Sequence, residues 1–594
     1  MTIFSIFIYF LCLILSCFSM VLVEVIDVEL DLRDMLQNKN PYFNATAQLT
    51  LKFENSTDSV LLHAYGMEFK NQTTLVCGKR SIPATVVHRT MVDDIVGLNL
   101  KEIIREKERC RVQLQYSSNT VPFRGLYLAH YPHAYDSNHT TVVIGDFHQL
   151  LARRIVPCID APASVHKWKI TVLHPTGSTA YFSAKRAFLK TEKGYLKTIF
   201  REFTSAPYRL NFALLWDREY RVRKIQTKSG KTIVLRFPTK MNFAYTRFLS
   251  VASEIYDFFH AKFGAPFDSD HLDIIVGQHL DGGSLGGSLM ILDHMYALET
   301  PRLRYFMALI WLQKSDYRMW KDAWFVDGLA SYYAYFLDVP KEKWVNTSRS
   351  LYQLRQLSEN PLLTVPFFHN PTEFDIVQEQ RQTFKLKGPL LFHMLIQVLG
   401  QEAFDKAVKE VLHSRIYVDY KITDQVSKFS PKHRHPKCFR VLVRAFMQQS
   451  HLPLLKINQI PGNKVQIHRE TYNAPNDMNI LWRPWKMDAF YTVPLFEADD
   501  HPGKPLKWLD QGVDNVIIDS KNLTLPLDPK GHGLYFVKYV DPRLARASNV
   551  SNCDAQQRLC APEDLNSVLC DGSCPSEHTF ERLFDGTKHS WDEY

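Results

Sequence analysis

A chain of 594 residues, 45% hydrophobic and 22% charged, has enough apolar material for several packed cores and excludes wholesale disorder. Its formal net charge is +9; the segment from Cys553 to Tyr594 holds nine acids against three bases, which leaves +15 on the remainder. No block of Lys and Arg dominates, so composition sets nucleic acid aside as a partner, while a basic exported chain can meet acidic glycans or matrix.

Residues 1–23 stand apart. From Thr2 to Val23, "TIFSIFIYFLCLILSCFSMVLV" is uncharged and stops at Glu24; it reads as a cleaved secretory signal or as an N-terminal membrane anchor, with no basic n-region before it. Either reading sends the rest of the chain into the secretory lumen or outside, as a secreted protein or on the extracellular face of the plasma membrane. Seven N-x-S/T sequons, at Asn44, Asn55, Asn71, Asn138, Asn346, Asn522 and Asn549, agree with export.

Residues 24–215 carry short runs such as "NATAQLTLKFENS" and "HKWKITVLHP", separated by turn residues, which predict an antiparallel β domain. Cys77 and Cys110 are candidates to staple two of its strands, and "KEIIREKER" at 101–109 reads as a solvated helix or loop. In residues 216–451 the period becomes helical: "AYTRFLSVASEIYDFFHAKFG" ends at Gly264, a helix stop, and "KGPLLFHMLIQVLGQEAFDKAVKEVLHS" continues the pattern. Residues 452–545 return to short strands, "NKVQIHRE" and "GLYFVKYVD" among them. Residues 546–594 form an acidic tail in which Cys553, Cys560, Cys570 and Cys574 are spaced C-x6-C-x9-C-x3-C. That spacing predicts two disulfides in an oxidising compartment, with three possible connectivities; a zinc knuckle is the alternative and lacks a C-x2-C hook. Cys158 and Cys438 read as buried thiols or a long-range bridge, and the "HRHPKC" cluster at 433–438 as a short run rather than a metal site.

Three stretches together resemble the aminopeptidase N-like family of gluzincin metallopeptidases. "LLARRIVPCIDAPASVHKWKITVLHP" is similar to the family's "DARRAFPCFDEPA" segment, "WKDAWFVDGLASYYAYF" to "WDDLWLNEGFASYFEY", and "KGPLLFHMLIQVLGQEAF" to the helix after the family's catalytic tyrosine. The resemblance covers about residues 30 to 540 and implies an α+β multidomain protein. Its parts are an N-terminal antiparallel β domain, a thermolysin-like α/β domain and a small β sandwich, with no counterpart of the family's C-terminal helical domain.

The chemistry of such a family needs three zinc ligands and an open position for water, whose pKa the metal lowers to about 7. An H-E-x-x-H helix supplies two ligands and the general base. By the family's spacing the two histidines fall on Arg304 and Ala308 and the base on Tyr305; a slip of one residue gives Tyr305, Phe306 and Leu309 instead. No two of the 23 histidines are four residues apart anywhere. The third ligand falls on Asp327 of "VDGLAS". The glutamate that anchors the substrate's amine would stand at Gly286 in "DGGSLGGSLMILD", beside Gly283, Ser284, Leu285 and Gly287, with Asp281 nearby but off the motif. The oxyanion tyrosine falls on Lys385, next to Phe384, and a substrate-contacting glutamine on Asp146. The Gly-rich stretch also lacks the Lys-Ser/Thr of a P-loop and reads as a strand edge lining a groove.

The sequence therefore predicts a degenerate copy with no catalytic residue, no metal and no cofactor. It would act by binding a protein or peptide partner, as an adhesion protein, scaffold or decoy. An active zinc aminopeptidase with ligands recruited from elsewhere is the alternative, and a regulator pairing with active relatives a third reading.

Overall fold

The computed structural model describes residues 21–88, 94–133, 136–265, 271–277, 282–294, 297–313, 320–335, 374–414 and 453–471, with short segments between 493 and 544. Outside the described residues lie the leader to residue 20, Asp281, Asn346, Asn522, Asn549, Cys438 with its "HRHPKC" cluster, and the whole cysteine-rich tail. The described residues fall into two compact units, one running through Ser414 and one from Pro453 onward. No described helix is long and apolar enough to cross a membrane.

The first unit opens with strands β1 (Val21–Asp31), β2 (Tyr42–Phe53), β3 (Thr57–His63), β4 (Met67–Phe69), β5 (Gln72–Cys77), β6 (Arg80–His88), β7 (Ile95–Ile104) and β8 (Arg109–Asn119). It continues with β9 (Leu126–His133), β10 (Asp136–Asp146), β11 (His166–Pro175), β12 (Ser178–Phe182), β13 (Arg186–Glu192), β14 (Tyr195–Phe200), β15 (Phe203–Ser205) and β16 (Asn211–Trp216). Twelve of these make one sheet along the path β13-β14-β11-β1-β2-β8-β5-β6-β7-β3, with β15 beside β11 and β4 beside β8. The sheet is antiparallel except where β1 runs parallel to β11. β12-β16-β10-β9 make a second, four-stranded sheet.

Period-two patterning explains these strands. In β8 the residues Cys110, Val112, Leu114 and Tyr116 are buried while Arg111, Gln113 and Gln115 face water. β1 changes phase once: Val21 and Val23 are buried, then Ile26, Val28 and Leu30, with the register shift falling between Val23 and Val25 at the half-buried Glu24. Val21–Val23, assigned to the leader by their lack of charge, are thus the start of a core strand paired with Phe53, Lys52 and Leu51. The first strand thus begins before residue 24: Val21 and Val23 are apolar because they pack into the core, while Leu22 between them is exposed. "KEIIREKER" is corrected as well: Lys101–Ile104 end β7, with Ile104 fully buried opposite Thr57, and a turn leads into β8. The Glu108 carboxylate accepts the Arg105 N–H at 2.9 Å to close that turn.

β17 (Tyr220–Gln226), β18 (Thr232–Pro238), β19 (His271–Gly277), β20 (Gly283–Gly286) and β21 (Leu289–Asp293) form a third, mixed sheet in the order β17-β18-β19-β21-β20. The four-stranded sheet lies between the other two. Val143, Phe212 and Leu214 join the core shared with Trp168 and Phe147, whereas Val142, Ile144, Ala213 and Leu215 pack on Ile275, Leu289 and Ile291. Burial on both faces is why β16 reads "NFALLW" without alternation.

Helices complete the unit: α1 (Arg33–Asn38), α2 (Tyr245–Phe263), α3 (Thr300–Leu312), α4 (Trp324–Tyr335), α5 (Phe374–Leu399) and α6 (Gln401–Ser414). α2 stops at Gly264, whose φ of 79° ends it as the sequence predicts, and Gly400, at 86°, separates α5 from α6. α4 and α5 cross where Gly328 meets Gly388: a Cβ on Gly388 would lie 2.5 Å from the Gly328 Cα, so neither position accepts a side chain. The second unit holds β22 (Pro453–Ile460), β23 (Lys464–Thr471), β24 (Val493–Leu495), β25 (Lys507–Leu509), β26 (Asn515–Asp519) and β27 (Phe536–Tyr539). They are arranged as a four-stranded sheet β26-β23-β22-β27 and a separate β24-β25 pair.

Candidate functional site

α3, α4 and α5 bring Arg304, Tyr305, Ala308, Asp327 and Lys385 into one neighbourhood. From Tyr305 to Leu312, α3 is buried without interruption, which its unbroken apolar run "FMALIWL" dictates. Ala308 is completely buried, and Arg304 is half-buried, its Nη1 donating to the Ala334 carbonyl at 3.3 Å. The first histidine position therefore carries a cation tied to the end of α4, and the second carries a methyl group.

Asp327 is buried, and its Oδ1 accepts the Tyr305 hydroxyl at 2.7 Å. The phenol stands where the sequence reading places the general base, and it engages the acid at the third-ligand position. Lys385 sets its ammonium 5.3 Å from the centre of the Tyr305 ring, a cation–π distance. Asp327, Tyr305 and Lys385 thus form a polar cluster held by the phenol between them. Zinc needs several unprotonated donors converging on an open position. The residues present do not fit one, since they offer a guanidinium, a methyl, an ammonium and a carboxylate already bonded to a phenol. Among the described residues no three His, Cys, Asp or Glu side chains approach closely enough to hold a metal.

The strand expected to hold the substrate's amine is β20, at the end of the third sheet. A Cβ at Gly286 would lie 2.6 Å from the Asn211 nitrogen, the Leu210 carbonyl carbon and the Ser183 Oγ. Gly286 is glycine because the β16 backbone occupies the space a side chain would take. Ser284 is buried and donates to the Asn211 Oδ1 at 3.2 Å, and the Asn211 amide reaches the Leu289 carbonyl at 3.4 Å. Asp146 pairs with Asn211 across β10 and β16, and its Oδ1 accepts the His148 N–H at 2.8 Å, a local turn bond. Asp146, Ser284 and Gly286 are therefore assembled around Asn211 as a seam between sheets rather than a groove lining. Gly283 stands apart from that seam, against the Phe306 ring of α3. Sequence reasoning missed Asn211 and Ser183; the signal for Asn211 is its position as the single polar residue in "LNFALLW".

The "ARRIVPCID" stretch is held by charge. Arg153 is buried, pairing with Asp94 and Asp160 at 3.1 Å each, and its Nη2 donates to the Asp160 carbonyl at 3.2 Å. Burial pushes the Asp160 carboxyl up to about 6, against the pull of Arg153. The Asp160 N–H donates to the His63 Nδ1 at 3.1 Å, and His63 bonds Cys158 through both backbone groups. Cys158 is a buried free thiol whose pKa burial drives well above the ordinary value, so it is no nucleophile. A disulfide joins Cys77 at the end of β5 to Cys110 in β8.

Residues 26–203 match the Peptidase M1 N-terminal domain. The chain is 20% identical to aminopeptidase N of Canis lupus familiaris, over 75% of this chain and 50% of that protein. It is 22% identical to aminopeptidase M1-B of Oryza sativa subsp. japonica, over 75% and 53%. It is 20% identical to probable aminopeptidase 1 of Sulfurisphaera tokodaii, over 83% and 63%. The chain spans about half the length of the curated relatives it matches. The domain match and these distant relatives, taken with the large N-terminal β domain, support the M1 aminopeptidase family.

Proposed function

We propose that this chain is a non-peptidase homologue of the M1 aminopeptidases that works outside the cell by binding a protein or peptide partner. One observation carries the reading: the Tyr305 hydroxyl holds Asp327 at 2.7 Å while Arg304 and Ala308 stand at the other two ligand positions. Water activation, the step that supplies the nucleophile, has no residues behind it in this arrangement. The Cys77–Cys110 disulfide and the exposed sequon residues Asn44, Asn55 and Asn71 support an oxidising, exported setting. A cleft end closed at Gly286 offers no carboxylate to a free α-amine, so free and N-acetylated peptides should bind alike.

The test is metal content of the purified full chain by mass spectrometry beside turnover of aminoacyl amides. The expected result is substoichiometric zinc and no turnover. One zinc per chain together with turnover would overturn the reading in favour of an active aminopeptidase with non-standard ligands.

A further inference from the structure

β17 is an edge of the third sheet, pairing only with β18 among the described residues. With its flanking turns it reads "DREYRVRKIQTKSGK", six cations and two acids from Asp217 to Lys231. Arg218, Arg221, Arg223, Lys224 and Lys228 are all exposed, and none forms an ion pair among the described residues. Their neighbour on β18, Arg236, is by contrast paired with Asp273. Of the two acids, both in the turn before the strand, Glu219 is half-buried and Asp217 is exposed.

The strip is also held in place. The Arg223 guanidinium lies over the Tyr245 ring at 5.1 Å and that of Arg218 over the Trp216 ring at 5.7 Å. Asp257 accepts the N–H groups of Lys228 and Ser229 at 2.9 Å each, fixing the turn while the Lys228 side chain stays in solvent. Arg221 and Arg223 share one face of the strand and Lys224 the other, with about 7 Å between the two arginines. A linear polyanion along the edge meets both rows. Charges on an edge strand also deter pairing with other strands, but either sign serves that purpose. Here the strand's own charges, Arg221, Arg223 and Lys224, are all positive and Lys228 continues them into the following turn, while the turn before the strand, Asp217–Glu219, sets two acids beside Arg218.

We infer that the β17 edge binds a sulfated polysaccharide of the heparin type. Nucleic acid is the poorer match because the two aromatic faces beside the strip are covered by arginines, leaving no platform for bases. The surface is separate from the α3–α4 cluster, so it works whether or not that cluster is catalytic.

The experiment is salt elution of the full chain from immobilised heparin, with desulfated heparin and phosphatidylserine vesicles as comparisons. The wild type is expected to stay bound above physiological salt, about 0.15 M, and to ignore desulfated heparin. R221E/R223E/K224E should bind at least about tenfold more weakly with a shallower salt dependence. K101E/K190E/K193E, which changes net charge equally at exposed positions elsewhere, should elute like wild type. Equal losses in the two variants, release at physiological salt, or binding to vesicles but not to heparin would each overturn the inference. Acylation of the wild type reads the site directly, whatever the variants' folding. Heparin should protect Lys224 and Lys228 but not Lys101 or Lys190, and uniform labelling would overturn the inference.

Discussion

At the scale of single residues, the site on the proposed reading is rebuilt rather than merely depleted. Each position expected to carry the family's chemistry holds a group that engages its neighbours: a phenol on Asp327, a guanidinium on the Ala334 carbonyl, a backbone strand against Gly286. Restoring one residue of the old chemistry should therefore damage the fold. Gly286→Glu puts a Cβ 2.6 Å from two backbone atoms where the chain enters β16, the Leu210 carbonyl carbon and the Asn211 nitrogen, which cannot swing aside as a side-chain tip would. Overpacking of this kind costs about 1–3 kcal/mol, and carrying a carboxylate into the seam adds to that. Because the Cβ alone makes the clash, Gly286→Ala should already lower the thermal midpoint measurably. A Gly286→Glu protein as stable as wild type, with gained affinity for free α-amines, would show that the groove is open at this end.

At the scale of elements, β5 meets β8 at only two pairs, Leu75 with Val112 and Val76 with Arg111. The Cys77–Cys110 bridge fastens that short ladder and closes 33 residues of chain. Constraining such a loop in the unfolded state stabilises by about 3–4 kcal/mol. The double variant Cys77→Ala/Cys110→Ala should unfold in urea with that deficit, and the wild type under reductant should match it; a loss below about 1 kcal/mol would mean the native bridge is strained. This pairing was legible in the sequence because both cysteines sit in strongly patterned strands. β8 alternates apolar and polar residues so regularly that its buried face can be read off directly. α2 was legible through its period and Gly264. The start of β1 was not, because Val21–Val23 continue the uncharged run of the leader, and only pairing with β2 separates them. Nor was the seam around Asn211 legible, since its contacts reach Ser284, 73 residues away, and Ser183, 28 residues back. The residue types at the positions expected to hold ligands were plain in the sequence, whereas the Tyr305–Asp327 bond needed α3 and α4 packed side by side.

At the scale of the whole first unit, burial of histidines sets how the fold responds to acid. His174 is fully buried between the hydroxyls of Ser178 at 2.9 Å and Thr198 at 2.8 Å, and burial pushes its pKa from 6.5 down to about 4. Burial also lowers His63 and His166. An unfolded chain takes up these protons near pH 6.5, but the folded chain refuses them until well below. Stability is complete above that pH and declines as pH falls toward 4. Asp160 acts oppositely: with its carboxyl raised to about 6, it favours the folded state at low pH and loses that contribution as pH rises from 4 to 6. Asp27 and Glu219, raised by burial, act with Asp160, but the carboxylates of Asp257 and Asp273 are held low in the fold and act with the three histidines, so acid should destabilise the unit on balance. For His174 alone the loss between pH 7 and pH 5 is about 2 kcal/mol, from its depression at 1.36 kcal/mol per pKa unit. His174→Gln keeps a polar group between the two hydroxyls and removes the titration. Its unfolding free energy should fall by about 2 kcal/mol less than that of wild type over the same interval. If the two proteins lose stability in parallel, His174 takes up its proton in the folded state, and the acid response must come from the other shifted groups, His63, His166 and the lowered carboxylates Asp257 and Asp273 among them.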